Sequence, residues 1–395
     1  MKKLIAVLVA AALFLVPLNA IAAVKAGASC SKLGATSTYA GKKYTCIKSG
    51  KNFVWNKGVA VATPKPTATP TPTVTPSSTA TATPTTAPVV EKTPTSFSDL
   101  VENFKGIYIS AWNSSSEKIA KSPTLDIKQN IIFGPNTKSP NPDIPQMFAL
   151  GTRFFGGYAQ PKSFDAVYYT FDDIPWASQK LLDFYGNADI AQAPSRNCQS
   201  SQRCNGASAN LPLTDRGQSN FGVINSGNND DYHLKGGIEI HEFAHIVQFM
   251  QFQGKSTEKL SLQLLPQWFV EGHAHVAGNL ASALTLSDYK TFRKPWRRSQ
   301  PVGISGFDPE SIQSFYMKLA AGKSDGAVFQ NVYTVGYFTL EALVALKGVD
   351  SPMELIKLVA AGDTFENSFK KVYGIDWSEA APILAKTVSR IFLEP

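Results

Sequence analysis

Residues 63–95 are almost entirely Thr, Pro, Ala and Ser. Proline fixes φ and removes a backbone donor, and this stretch has almost no large apolar side chain to bury. It therefore reads as an extended, semi-rigid stalk, open to O-glycosylation, and not as part of a core. The stalk divides the 395-residue chain into a short piece before it and a long one after it. Each piece must find its own core.

Charge follows the same division. The formal net charge of +8 is unevenly placed: residues 24–62 carry seven Lys and no Asp or Glu, while residues 96–395 carry 27 basic and 29 acidic side chains. On charge grounds the bulk of the protein is not a nucleic-acid binder. Residues 1–23 read as a secretory signal, with Lys2 and Lys3, an apolar run from Leu4 to Val16, and Ala20-Ile21-Ala22 as the cleavage site. The run is short for a membrane span, so the expected product is exported, with no stable transmembrane span after cleavage. Outside the cytosol four cysteines are expected to pair, and Cys30–Cys46 with Cys198–Cys204 is the local choice among three connectivities.

Residues 24–62 then form a small Cys-clamped unit of a few short strands, too small to hold a core without its disulfide. Its Gly27, Cys30, Tyr44, Cys46 and Trp55 resemble the pattern of short actinobacterial cell-surface modules. Its lysines and aromatics suit an anionic cell-wall polymer as partner.

Residues 96–395 are expected to be an α+β head. Asp165 to Phe171 reads as a strand and Trp176 to Tyr185 as the helix after it. Residues 187–220 read as a long polar loop pinned by the second cysteine pair. Phe221 to Asn225 reads as an edge strand, and residues 96–160 have room for a propeptide. From Gly237 onward apolar residues recur at helical spacing. The basic cluster Arg293, Lys294, Arg297 and Arg298 reads as a solvated helix end, and Asn228-Asn229-Asp230-Asp231 as a turn.

All five histidines lie between His233 and His275. His241-Glu242-Phe243-Ala244-His245 is an HExxH motif. On a helix, positions i and i+4 share a face, so two imidazoles can take two corners of a tetrahedral Zn²⁺ site. Glu242 is placed to take a proton from water at the open corner and deliver it to a leaving amine. Glu271, in Trp268-Phe269-Val270-Glu271-Gly272, is the candidate third ligand, with His273 and His275 as its competitors; with Glu271 in place, His275 one turn further on stands beside the metal or the substrate. His273 reads as part of a solvated helix start and His233 as a surface residue. Gln248 and Gln251 stand where the longer metzincin motif needs Gly and His, which excludes that branch.

From Gly237 to Trp377 the head resembles the gluzincin metallopeptidases, in particular the peptidase MA-like group with HExxH and a later W-x-x-E-G. The resemblance implies a mainly helical, zincin-like domain with a small mixed or antiparallel sheet. It implies His241, His245 and Glu271 as zinc ligands, Glu242 as general base, and Tyr333 or Tyr337 as donor to the oxyanion. The expected protein is a secreted zinc peptidase acting on a peptide or protein substrate. The rival expectation is a non-catalytic, zinc-stabilised surface protein attached by its basic N-terminal unit.

Overall fold

In the computed structural model, residues 26–30, 33–34, 36–39, 42–50, 52–60, 91–210, 215–225, 231–258 and 261–394 are described. They belong to two compact units, one within residues 26–60 and one within residues 91–394. The expected signal segment, nearly all of the stalk, and Asn228 to Asp230 lie outside the described residues.

The small unit contains β1 (Thr36–Tyr39), β2 (Lys42–Ser49), β3 (Asn52–Trp55) and β4 (Val59–Ala60). β2 pairs antiparallel with the other three. The Cys30–Cys46 disulfide ties the chain ahead of β1 to β2. Among its described residues Tyr44 and Cys46 are the buried ones, so the bridge stands in for a core.

The large unit is mixed α/β and mostly helical. Its main sheet has the order β5 (Lys128–Phe133), β6 (Ser163–Tyr169), β10 (Arg216–Gly222), β9 (Ala207–Asn210). β6 runs parallel to β5 and β10, while β9 runs antiparallel to β10. Alternation along β6 splits the core. Phe164, Ala166 and Tyr168 join the large cluster with the motif helix (Gly237–Met250). Val167 and Tyr169 join a smaller cluster with Ala177, Leu181 and the Cys198–Cys204 pair. The helix Ile174–Tyr185 therefore covers one face and the motif helix the other.

Several expectations need correction. Residues 187–220 are not a loop: they hold the short helices Ala188–Ala191 and Ala193–Asn197, the hairpin β7 (Cys198–Ser200) with β8 (Arg203–Cys204), then β9 and most of β10. The strand expected at Phe221–Asn225 begins earlier and sits inside the sheet, with β9 as the outer strand. Its Asn220 is tied to both neighbouring strands. Asn220 Nδ2 donates to Ser208 O and Oγ at 3.0 and 2.8 Å, and Asn220 Oδ1 accepts from Tyr169 Oη at 2.8 Å. A strand buried through such a network shows no apolar alternation. Residues 97–160 are also part of the same core as the motif helix, through Leu100, Phe104, Ile107, Phe148 and Phe154. No single helix among the described residues is long and apolar enough to cross a membrane.

Candidate metal centre

The motif helix is buried on every side, as are nearly all residues of the ligand helix (Gln267–Ser282). A helix apolar or buried all round belongs at the centre of a domain. Gly236 opens the motif helix at φ +79°, a backbone state that favours glycine. Tyr168 Oη on β6 donates to Glu239 Oε1 at 3.1 Å and ties the helix to the sheet. The ligand helix starts after Pro266 and is anchored by Trp268, stacked on Trp377 at 5.2 Å. Gly272 lies against Gly336 of the helix Val335–Lys347.

These two helices bring His241, His245 and Glu271 together. The Nε2 atoms of His241 and His245 are 3.2 Å apart, and Glu271 Oε2 lies 3.5 Å from the first and 3.4 Å from the second. Ligands at 2.0–2.2 Å from a tetrahedral ion stand about 3.3 to 3.6 Å apart, so the triangle has the size one shared cation requires. Neither Glu271 oxygen has a hydrogen bond among the described residues. A buried carboxylate without donors is costly, and a cation removes that cost. Two imidazoles and one carboxylate are a donor set suited to a divalent transition ion. The residues present therefore fit a metal.

The surroundings set the tautomer of one ligand. Gln248 Oε1 accepts from His245 Nδ1 at 3.0 Å, which leaves the Nε2 lone pair facing the triangle. Gln248 Nε2 in turn donates to Val270 O at 3.0 Å and to His273 Nδ1 at 3.1 Å. His273 is thus a buried partner of the site and no solvated helix start. His233 is also buried, with Nε2 2.7 Å from Asn205 O, and is no surface residue.

Burial drives the titration of the site. It pushes the Glu242 carboxyl up to about 8, with His245 opposing and Glu271 adding to the rise. It lowers His241 to about 4. Burial works downward on His245 too, but the nearby Glu271 charge, together with Glu242 and Gln248, outweighs it and carries the ring to about 9. Burial opposes ionisation of Glu271, yet the two histidines hold it well below the usual carboxylate range.

The two tyrosines separate. Tyr333 lies at the site: its ring is 6.2 Å from His241, and its hydroxyl makes no hydrogen bond of good geometry among the described residues. Burial, then the charges of Glu271 and Glu242, push its pKa far up. Tyr337 is committed elsewhere. Its hydroxyl donates to Tyr289 Oη at 2.9 Å, Tyr289 donates to Glu341 at 2.7 Å, and Arg293 forks Glu341 at 2.6 and 2.9 Å. The expectation that Tyr337 faces the reacting centre is therefore not met. Arg293 likewise is a half-buried ion-pair partner of Glu341 and no solvated helix end. His275 is buried one turn beyond Glu271, packed at 4.2 Å from Trp296 and 4.7 Å from Tyr232. Trp296, Tyr232 and the Gln248–His273 pair were not among the expected site residues. Of these only Gln248, three residues after His245, carried a sequence signal, the i to i+3 spacing.

The chain matches no family model, no curated protein and no solved structure.

Proposed function

We propose that the head is a zinc-dependent peptidase of gluzincin type with a zincin-like fold, working outside the cell. The observation that carries this reading is the triangle of His241, His245 and Glu271 with the Glu242 carboxyl beside it. Zn²⁺ held there would supply a Lewis acid for a water and for a peptide carbonyl. His241, His245 and Glu271 would hold that ion. Glu242 takes a proton at its carboxyl oxygen, keeps it inside a site screened from bulk water, and hands it to the departing nitrogen. The Tyr333 hydroxyl is free to donate to negative charge developing on the carbonyl oxygen. β9, the outer strand, brings the Ala209 amide to Glu242, and an outer strand edge suits an extended peptide.

Exchange of Glu242 for Gln tests the assignment. Zinc content should stay at one per chain while hydrolysis of a peptide mixture falls by about 10²- to 10⁴-fold. A metal-loaded variant that cleaves at the wild-type rate would remove Glu242 from the mechanism.

One observation favours a second reading. His241, Glu242, His245 and Glu271 expose only 1–3 % of their surfaces. A closed site of this kind also suits a zinc-stabilised, non-catalytic module. The small unit would then set location, because Lys42, Lys43, Lys48 and Lys57 are all exposed and able to meet an anionic wall polymer. Zinc-replete wild-type protein that leaves every peptide of a varied library intact would select this reading.

A further inference from the structure

A cavity of about 800 Å³ lies away from the metal centre. Its walls are the basic helix (Leu286–Arg297), the chain around Phe104 to Tyr108, and the end of the C-terminal helix from Ile391 to Glu394. Six basic side chains line it, namely Lys105, Lys290, Arg293, Lys294, Arg297 and Arg298, against the two acids Glu91 and Glu394. On the helix Lys290, Lys294 and Arg298 follow one another at one-turn spacing and form a single cationic edge.

Only one of the two acids is paired with a cation. Arg390 forks Glu394 at 2.5 and 2.7 Å, and Glu91 lies against the Tyr108 hydroxyl. Arg293 is taken up by Glu341 below the wall. Arg297 Nε donates to the Ile391 carbonyl at 2.6 Å, so its guanidinium is held in place without meeting a carboxylate. Burial, then the Arg293 and Arg298 charges, lower its pKa. Among the described residues Lys290, Lys294, Arg297 and Arg298 form no ion pair with a carboxylate. Six basic side chains against two carboxylates around a half-open cavity raise the local potential and favour a multivalent anion. Guanidinium and ammonium groups together match phosphate oxygens. The half-open cavity has the volume of a small-ligand site.

We infer that this cavity is a binding site for a compact ligand bearing two or more phosphate groups, gripped by Lys290, Lys294, Arg297 and Arg298. The same chemistry exists in a free bisphosphate and in a short phosphodiester chain.

Titration calorimetry on the zinc-loaded full chain tests the site at fixed ionic strength. Glucose 1,6-bisphosphate and a glycerol phosphate tetramer serve as the two probes, because neither strips zinc strongly. Saturable binding of at least one probe is expected, weakened tenfold or more in Lys294→Gln/Arg298→Gln and in Lys290→Gln, and unchanged in Lys347→Gln on a distant surface. Binding of the bisphosphate assigns a free ligand, and binding of the tetramer alone assigns a phosphodiester chain. Absence of saturable binding by both probes would overturn the inference. So would equal binding by wild type and the two cavity variants, each checked as folded by its thermal melt.

Discussion

Gln248 divides its amide between two helices. The oxygen accepts from His245 Nδ1, and the nitrogen donates to Val270 O and His273 Nδ1. Every polar atom of that side chain is used, so its orientation is determined. Groups that fix a ligand's ring typically carry a factor of about 10 to 100 in metal affinity. Gln248→Ala should lose zinc in that range against a competing chelator, with the fold intact by circular dichroism. Gln248→Glu keeps the acceptor for His245 and should recover part of the loss. Equal affinity in all three proteins would show that the ring is held by packing alone. The four residues His241, Glu242, His245 and Glu271 were legible in the sequence because the rule behind the first three is local: one helical turn decides which side chains share a face. The fates of His273, Tyr337 and His233 were not legible. Their burial and partners come from distant segments, such as Tyr289 and Glu341 for Tyr337, and Asn205 for His233.

The helices that carry the ligands meet at glycines. A Cβ on Gly272 would lie 2.6 Å from the Gly336 backbone, and backbone cannot give way as a flexible side chain can. Gly272→Ala should therefore force the ligand helix away from Val335–Lys347 and cost about 1–3 kcal/mol of stability. The same displacement moves Glu271 relative to the histidines, so zinc affinity should fall along with the melting temperature. An unchanged melt would mean the two helices slide apart without penalty. At this scale the long helices were legible from their apolar spacing. The strand Asp165 to Phe171 was read two residues late, because Phe171–Asp173 turns into a 3₁₀ segment where Asp173 accepts from Asn136, Thr137 and Thr170. β9 and the first part of β10 were not legible, since their buried faces are built largely from Ser, Asn and Gln and give no hydrophobic alternation.

For the molecule as a whole, two stabilities are separable. The small unit depends on Cys30–Cys46, whose closed loop contributes about 3 kcal/mol in the chain-entropy model. Mild reduction should abolish its β-sheet signal. The head has a large core and should keep its helical signal under the same treatment. Loss of the helical signal at that point would contradict the division into independent cores. The head should instead respond to zinc. A ligand bound only by the folded state adds about 4 kcal/mol at a thousand times its dissociation constant, so chelation should lower the head's melting temperature in a manner reversed by added zinc. The division into two units was legible in the composition of residues 63–95, and both cysteine pairings were legible from spacing. The central claim is that His241, His245 and Glu271 share one ion. X-ray absorption at the zinc edge on the purified full chain tests it most directly. The account predicts one zinc per chain with two imidazole nitrogens and light oxygen donors at about 2.0–2.2 Å, and loss of that zinc in Glu271→Ala. Zinc bound through sulfur, or retained at full occupancy when Glu271 is removed, would contradict it.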